Sequence, residues 1–438
     1  MSISIESRRR REDSPLLTGQ GRFVDDLRPP EDRPAALHLV VVRSPYPHAT
    51  IDHIDLEAAR ALPGVVLALS GAELVANLPP LETIALPGMK KPERRPMAVD
   101  RVRYIGDPVA IVLAEDRYIA VDAHSLVEID YTPLPAISDP EAALAPGAPL
   151  LYEELETNQI YDLSSSWGDV EGVFARADHI THLRLVNQRL APSSLEPRAC
   201  LFDYDEASGI LSAWLSCQAV YRAREVLSQS LGLPRERIHV YNADVGGGFG
   251  AKATFVGEEL ITASLAVKLG RPVKWIETRS ENLQAQTHGR GQINDIEVAY
   301  LNDGTLLGLK IHTVGDIGAF LNGMGPLLPN RTPAMACGPY RIQAVESHVR
   351  GAFTNKIPTA PYRGAGRPEA TYIAERAIDR IAHELQLDPA EIRRRNFIPP
   401  DAFPHQTVTG ILYDSGNYPA GLAKALELAG YEEWREQQ

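Results

Sequence analysis

Cysteine is scarce in this sequence: Cys200, Cys217 and Cys337 are the only three in 438 residues, and they form no CxxC pair. Three thiolates cannot build a four-thiolate iron–sulfur cluster, and their wide spacing does not fit a structural zinc site. A sparse, odd count suits a reducing compartment, and each cysteine reads as a small buried apolar residue. Basic charge is in deficit, with 44 Lys and Arg against 57 Asp and Glu, a net charge of −13. That balance argues against nucleic-acid binding, which depends on neutralising phosphates. Long apolar runs are missing too: none approaches the roughly 20 residues of a membrane span. The one basic cluster, Arg8 to Arg11, runs into Glu12, Asp13 and Ser14, where a twin-arginine export signal would need an apolar stretch. The expectation is a cytoplasmic chain.

What is present is ordinary globular material, 44% hydrophobic and 23% charged, enough for two or three domains. Strand-like runs begin at Ala36 (ALHLVVVRS), Val65 (VVLALSG) and Pro108 (PVAIVLAED), and RYIAVDAHSLVEI from Arg117 has helical spacing. A loop rich in proline and charge runs from Leu78 to Arg95. A segment with five prolines from Asp130 reads as a connector, which places a domain boundary near residue 145. Further on, RIHVYNAD from Arg237 reads as a strand leading into a glycine cluster. In the helix that follows, Ile261, Leu265 and Leu269 recur on one face, with Gly270 placed to cap its end. Asp303-Gly304 marks a hairpin turn, PEATYIAERAIDRIAHELQL from Pro368 an amphipathic helix, and Asp388-Pro389 the start of another. There is no internal repeat and no low-complexity tract.

Two motifs carry chemistry. Gly246-Gly247-Gly248-Phe249-Gly250 lets backbone amides approach an anion or oxo group, with a following helix adding the positive end of its dipole. The competing readings are a plain structural turn and a dinucleotide fingerprint, since Gly246, Gly248 and Ala251 fit G-x-G-x-x-A. The preceding strand is polar where a central parallel strand should be apolar. The next acid, Glu277, lies further on than that fingerprint expects. The second motif is Ala360–Tyr372, APYRGAGRPEATY, where Arg363 and Arg367 flank a turn at Gly364 and Gly366. Guanidinium groups suit phosphate, and the alternative is a solvated surface turn.

Together, GGGFG and YRGAGRPE, about a hundred residues apart, resemble the molybdenum hydroxylases, the family of xanthine dehydrogenase, aldehyde oxidase and carbon monoxide dehydrogenase large subunits. LLTGQGRFVDDL, RSPYPHATI and VRYIGDPVAIVLAEDRYIAVDA resemble the family's α/β hammerhead domain. NQRLAPSSLEPRACL, RPVKWIETRSENLQAQTHGRGQ and AIDRIAHELQLDPAEIRRRNFIP resemble its first cofactor-binding domain. The resemblance implies an α+β chain with a hammerhead domain over 1–145 and the first molybdopterin-binding domain over 146–438. It implies a molybdenum–molybdopterin cytosine dinucleotide, with Gly247, Gly248, Phe249 and Gly250 on one part of it and Tyr362, Arg363 and Gly364 on another. Phe249 and Arg363 would stand nearest the metal, and the amides of Phe249 and Gly250 would face its oxo ligand.

Departures from the family pattern narrow this reading. Purine-oxidising members place a Glu where Ala253 sits and an aromatic residue where Ala365 sits, so purine is a poor substrate. Carbon monoxide dehydrogenases carry a copper-binding Cys where this chain has Gly364. The family's active-site Gln falls on Gln188 in one register and on Leu190 in another. The family's second cofactor domain, with its glutamate base, is not in this sequence. Glu258 and Glu259 of VGEE read as first-turn helix acids instead. The expected arrangement is therefore a split hydroxylase for a small aldehyde or N-heteroaromatic substrate. Its partners would be a second molybdopterin-binding subunit carrying the base, a [2Fe–2S] subunit and an FAD subunit. It resembles nicotinate dehydrogenases with a divided molybdenum subunit. A truncated full-length subunit, a cofactor-less scaffold and, remotely, an NAD-dependent dehydrogenase are the alternatives.

Overall fold

The apolar run Leu37–Arg43 pairs in two directions, and that pairing organises the first part of the fold. A computed structural model of the protein describes residues 10–76, 78–81 and 83–438; Arg8 and Arg9 of the basic cluster lie outside them. Leu37–Arg43 runs antiparallel to Pro108–Ala114 on one side and parallel to Val273–Ile276 on the other. The resulting seven-stranded sheet has the order Ile238–Asn242, Ile210–Leu215, Ala199–Asp205, Val273–Ile276, Leu37–Arg43, Pro108–Ala114, Val65–Ser70. Helices Val220–Leu231 and Gly257–Leu269 cover it, with Phe202, Trp275, Ile261 and Leu265 in the core. Strand Pro108–Ala114 is buried along its whole length, which accounts for its unbroken apolar sequence. A smaller three-stranded sheet, Arg101–Val102, Ala49–Asp55 and Glu128–Pro133, completes this unit.

The second unit is built on a five-stranded sheet in the order Gln159–Trp167, Ala344–Phe353, Leu306–Gly318, Gln292–Tyr300, His179–Asn187. Helix Arg367–Leu385 lays Ile373, Ala377, Ile378 and Ile381 into its core, the face that the 3.6-residue spacing indicates. The Asp303-Gly304 turn joins two of the strands. Asp388 caps helix Pro389–Asn396 by accepting from the N–H of Ala390 and Glu391.

Most local expectations are met, and some are corrected. The helical run from Arg117 ends at His124, and its tail enters the strand Glu128–Pro133. The proline-rich connector contains the end of that strand and a short helix, Pro140–Ala143. The described residues of 78–95 hold no helix or strand. The three cysteines are buried and unpaired. Neither compact unit is a continuous stretch of chain. One takes Met1–Glu82, Glu93–Leu134 and Pro192–Gln286; the other takes Thr83–Pro92, Pro135–Ala191 and Thr287–Gln438. Strands from before and after residue 145 share the seven-stranded sheet.

Asp107, at the entry to the strand Pro108–Ala114, is 4% exposed and accepts a bond from the N–H of Arg103 at 3.0 Å. Burial pushes its pKa up to about 7, against that bond and nearby arginines. A folded-state pKa above the unfolded value of 3.8 means that the native state holds the proton between about pH 4 and 7, so stability falls as pH rises through that window. Each pH unit there is expected to cost about 1.4 kcal/mol. Urea unfolding from pH 4 to 8 should show Asp107→Asn gaining stability relative to the wild type as pH rises. Parallel curves would contradict this.

Candidate functional site

The glycine cluster lies between an edge strand and a buried helix. Ile238–Asn242 is the outermost strand of its sheet, which accounts for the polar sequence HVYN. The helix does not begin at the glycines: Ala251–Ala253 form a 3₁₀ turn first, and the α-helix starts at Gly257. The expected dipole contribution to the loop is therefore not delivered by helix contact, because it fades within a turn of the helix end. The loop offers its own amides instead. Among the described residues, the N–H groups of Gly247, Gly248 and Phe249 donate to no acceptor.

The backbone here needs glycine. Gly247 and Gly250 both have φ +99°, and Phe249 between them is held at +53°, a conformation that costs a non-glycine residue about 1–3 kcal/mol. A Cβ on Gly248 would stand 2.5 Å from Gln218 Oε1, and one on Gly246 would stand 2.5 Å from Glu196 Cβ. The cradle is filled by neighbours that leave no room for a side chain.

Those neighbours hold the loop from behind. Glu196 Oε2 accepts from Gly246 N (2.8 Å), Lys252 Nζ (2.9 Å) and Ser216 Oγ (2.6 Å). Lys252 is 2% exposed, and burial lowers its pKa while Glu196 opposes the shift. Arg198 joins Glu259 at 2.9 Å and donates to the carbonyls of Ala251 and Thr254. Burial raises the Glu259 pKa, and Arg198 opposes it. Glu258 and Glu259 do occupy the first turn of their helix, as their sequence position indicates. They are also buried ion-pair partners, Glu258 with Arg43 at 2.8 Å.

One residue escaped the sequence reading. Gln218 donates its backbone N–H to Lys252 O at 3.0 Å, and its Oε1 accepts from Gly250 N at 2.8 Å. The Gly250 amide, implied by resemblance to face an oxo group, is thus engaged by a side-chain carbonyl. The available signal was a polar amide where the strand Ile210–Leu215 gives way to the helix Val220–Leu231. Gln188 belongs to the second unit, exposed just after the strand His179–Asn187. Leu190, the residue of the other register, also follows the end of that strand. Ala253 stays with the glycine loop, its N–H bonding Gly250 O at 3.1 Å.

Tyr362, Arg363, Gly364 and Ala365 form a tight turn in the second unit. Ala365 N donates to Tyr362 O at 3.0 Å, and Gly366 precedes helix Arg367–Leu385. Arg363 is exposed, and its side chain makes no ion pair or hydrogen bond among the described residues. A free guanidinium on a fixed turn suits a phosphate or pyrophosphate group.

Residues 151–397 match the molybdopterin cofactor-binding domain, and residues 18–135 match the aldehyde oxidase and xanthine dehydrogenase a/b hammerhead domain. The chain belongs to this molybdopterin-binding family. It is 36% identical to the carbon monoxide dehydrogenase large chain of Afipia carboxidovorans, over 98% of this chain and 54% of that one. It is 27% identical to the nicotinate dehydrogenase large molybdopterin subunit of Eubacterium barkeri, over 96% of this chain and 95% of that one. Quinoline 2-oxidoreductase from Pseudomonas putida 86 is similar in structure, with a TM-score of 0.89 and 33% identity, covering 98% of this chain and 54% of that one. The chain thus spans about half the length of the carbon monoxide dehydrogenase and quinoline oxidoreductase chains. No described helix is long and apolar enough to cross a membrane.

Removing Lys252, the buried member of its pair with Glu196, leaves that largely enclosed carboxylate (side chain 13% exposed) without its cation, so Lys252→Met should destabilise the chain by about 3–5 kcal/mol in urea unfolding. Adding Glu196→Gln should recover at least half of that loss. A single-variant cost below about 1 kcal/mol, the scale of an exposed pair, would show that the network does not brace the loop.

Proposed function

We propose that this chain is a molybdopterin-binding component of a molybdenum hydroxylase acting on an N-heteroaromatic or aldehyde substrate. The observation that carries the reading is the row of three amides, Gly247 to Phe249, that have no partner among the described residues, on a backbone braced by half-buried Glu196 and by buried Lys252 and Ser216. Such a row fits an oxo or phosphate group. Gly247, Gly248, Phe249 and Gly250 would hold one part of a molybdenum–molybdopterin cytosine dinucleotide, and Tyr362, Arg363 and Gly364 another. When bound, the cofactor supplies the oxidising metal centre that transfers a water-derived oxygen. This chain's residues bind and orient: amides fix the anion, Gln218 fixes Gly250, and Arg363 brings an unspent positive charge.

Substrate preference follows from what is small. Ala253 and Ala365 offer neither a charged anchor nor an aromatic clamp, which disfavours purine. Gly364, with φ +103°, provides no thiolate for copper, which disfavours carbon monoxide despite the identity with that dehydrogenase. Two of the similar proteins are named for nicotinate and quinoline, both N-heteroaromatic. The proton-abstracting glutamate belongs to a second molybdopterin-binding polypeptide, and electrons leave through [2Fe–2S] and FAD subunits. The site is cytoplasmic.

The complex purified from its native host should carry molybdenum and releasable cytidine nucleotide in equal amounts. It should reduce a dye faster with quinoline, nicotinate or an aromatic aldehyde than with xanthine. A preparation that binds neither metal nor nucleotide, or a specificity constant highest for xanthine, would sink this reading.

A further inference from the structure

We infer that Arg290 is a positioning residue that sets the conformation of the Tyr362–Gly366 turn and thereby presents Arg363. The inference rests on the proposed role of Arg363 in holding the cofactor. The turn is conformationally demanding: Gly364, Ala365 and Gly366 all have positive φ, at +103°, +48° and +96°. Ala365 adopts a backbone that L residues avoid, so something outside the turn must hold it there.

Arg290 is placed to do so. Its side chain is 9% exposed. Nη1 donates to Tyr362 O at 2.9 Å and Nη2 to Arg363 O at 2.8 Å, two consecutive carbonyls on one guanidinium. The same group sits 4.9 Å from the centre of the Tyr362 ring, within cation–π range. Holding both carbonyls fixes the peptide planes on either side of Arg363, and so the direction in which its side chain leaves the chain. Arg290 itself has φ +65° and is followed by Gly291 at +74°. A Cβ on Gly289 would lie 2.3 Å from Tyr362 Cβ, so the two segments approach as closely as backbone allows.

The remaining face of Arg290 meets Glu369. That carboxylate is 1% exposed, lies in the first turn of helix Arg367–Leu385, and stands 3.7 Å from Nη1. Neither of its oxygens has a hydrogen-bond partner among the described residues, and Arg290 is the cation paired with it. One guanidinium therefore serves two carbonyls, a ring and a buried charge. A lysine ammonium keeps the charge but lacks the planar fork that reaches two successive carbonyls.

The test uses the assembled complex and follows release of molybdenum and cytidine nucleotide during gel filtration, with the unfolding temperature measured in parallel. Arg290→Lys should unfold near the wild-type temperature yet release both at least about tenfold faster, as losing a charge-assisted hydrogen bond implies. Added guanidinium, but not sodium at equal ionic strength, should slow release from Arg290→Ala. If single variants fail to assemble, Arg290→Gln with Glu369→Gln removes both buried charges together, and the same fast release is expected. Wild-type retention by the Arg290 variants, alongside fast release from Arg363→Ala, overturns the role of Arg290 and leaves the cofactor reading intact. Wild-type retention by Arg363→Ala overturns both.

Discussion

The Arg198 guanidinium is the interaction on which the glycine-loop region depends. It is buried with Glu259 at 2.9 Å, and it also serves the carbonyls of Ala251 and Thr254. Those carbonyls belong to the short 3₁₀ turn Ala251–Ala253 and its end at Thr254, between the glycine loop and its helix, and no α-helical ladder satisfies them there. An unpaired polar group there would carry a desolvation cost of about 1–3 kcal/mol. Its own backbone N–H is held by Glu277 at 2.9 Å, just beyond the strand Val273–Ile276. Sheet, loop and helix thus meet on one residue, the first through its backbone N–H and the others through its guanidinium. The neighbouring Glu196 supplies the second grip, on Gly246.

This arrangement differs physically from the phosphate sites of dinucleotide-binding folds. There, the glycines open a helix, and its first amides and dipole meet the ligand. Here a short 3₁₀ turn separates the glycines from the helix, and the free donors belong to an irregular loop braced by buried charges. Desolvated ion pairs are weak evidence of stability on their own. They do, however, fix geometry, because their partners cannot move without exposing a charge. A loop that must keep Phe249 at φ +53° depends on that rigidity.

Local features were legible in the sequence because their causes are local. Gly270 caps its helix in the left-handed conformation, Asp388 caps another with its side chain, and Asp303-Gly304 turns a hairpin. The glycine loop and the Arg363 turn were legible for the same reason, as motifs of consecutive residues. What the sequence concealed lies in long-range pairing. Strand Val273–Ile276 joins Leu37–Arg43 to Ala199–Asp205, and no periodicity encodes that neighbourhood. Gln218 meets Gly250 across 32 residues, and Arg290 meets Tyr362 across 72. Glu258 and Glu259 were readable as helix-start acids, but their burial and their arginine partners were not. The helical reading from Arg117 ran too far because Ile129, which lies in the strand Glu128–Pro133, is as apolar in a strand as in a helix.

The most direct measurement is the anomalous scattering of molybdenum in crystals of the complex, recorded on either side of its absorption edge. The account predicts a single strong peak per chain beside the amides of Gly247, Gly248 and Phe249. A peak remote from that loop, or none in crystals of catalytically active complex, would contradict it.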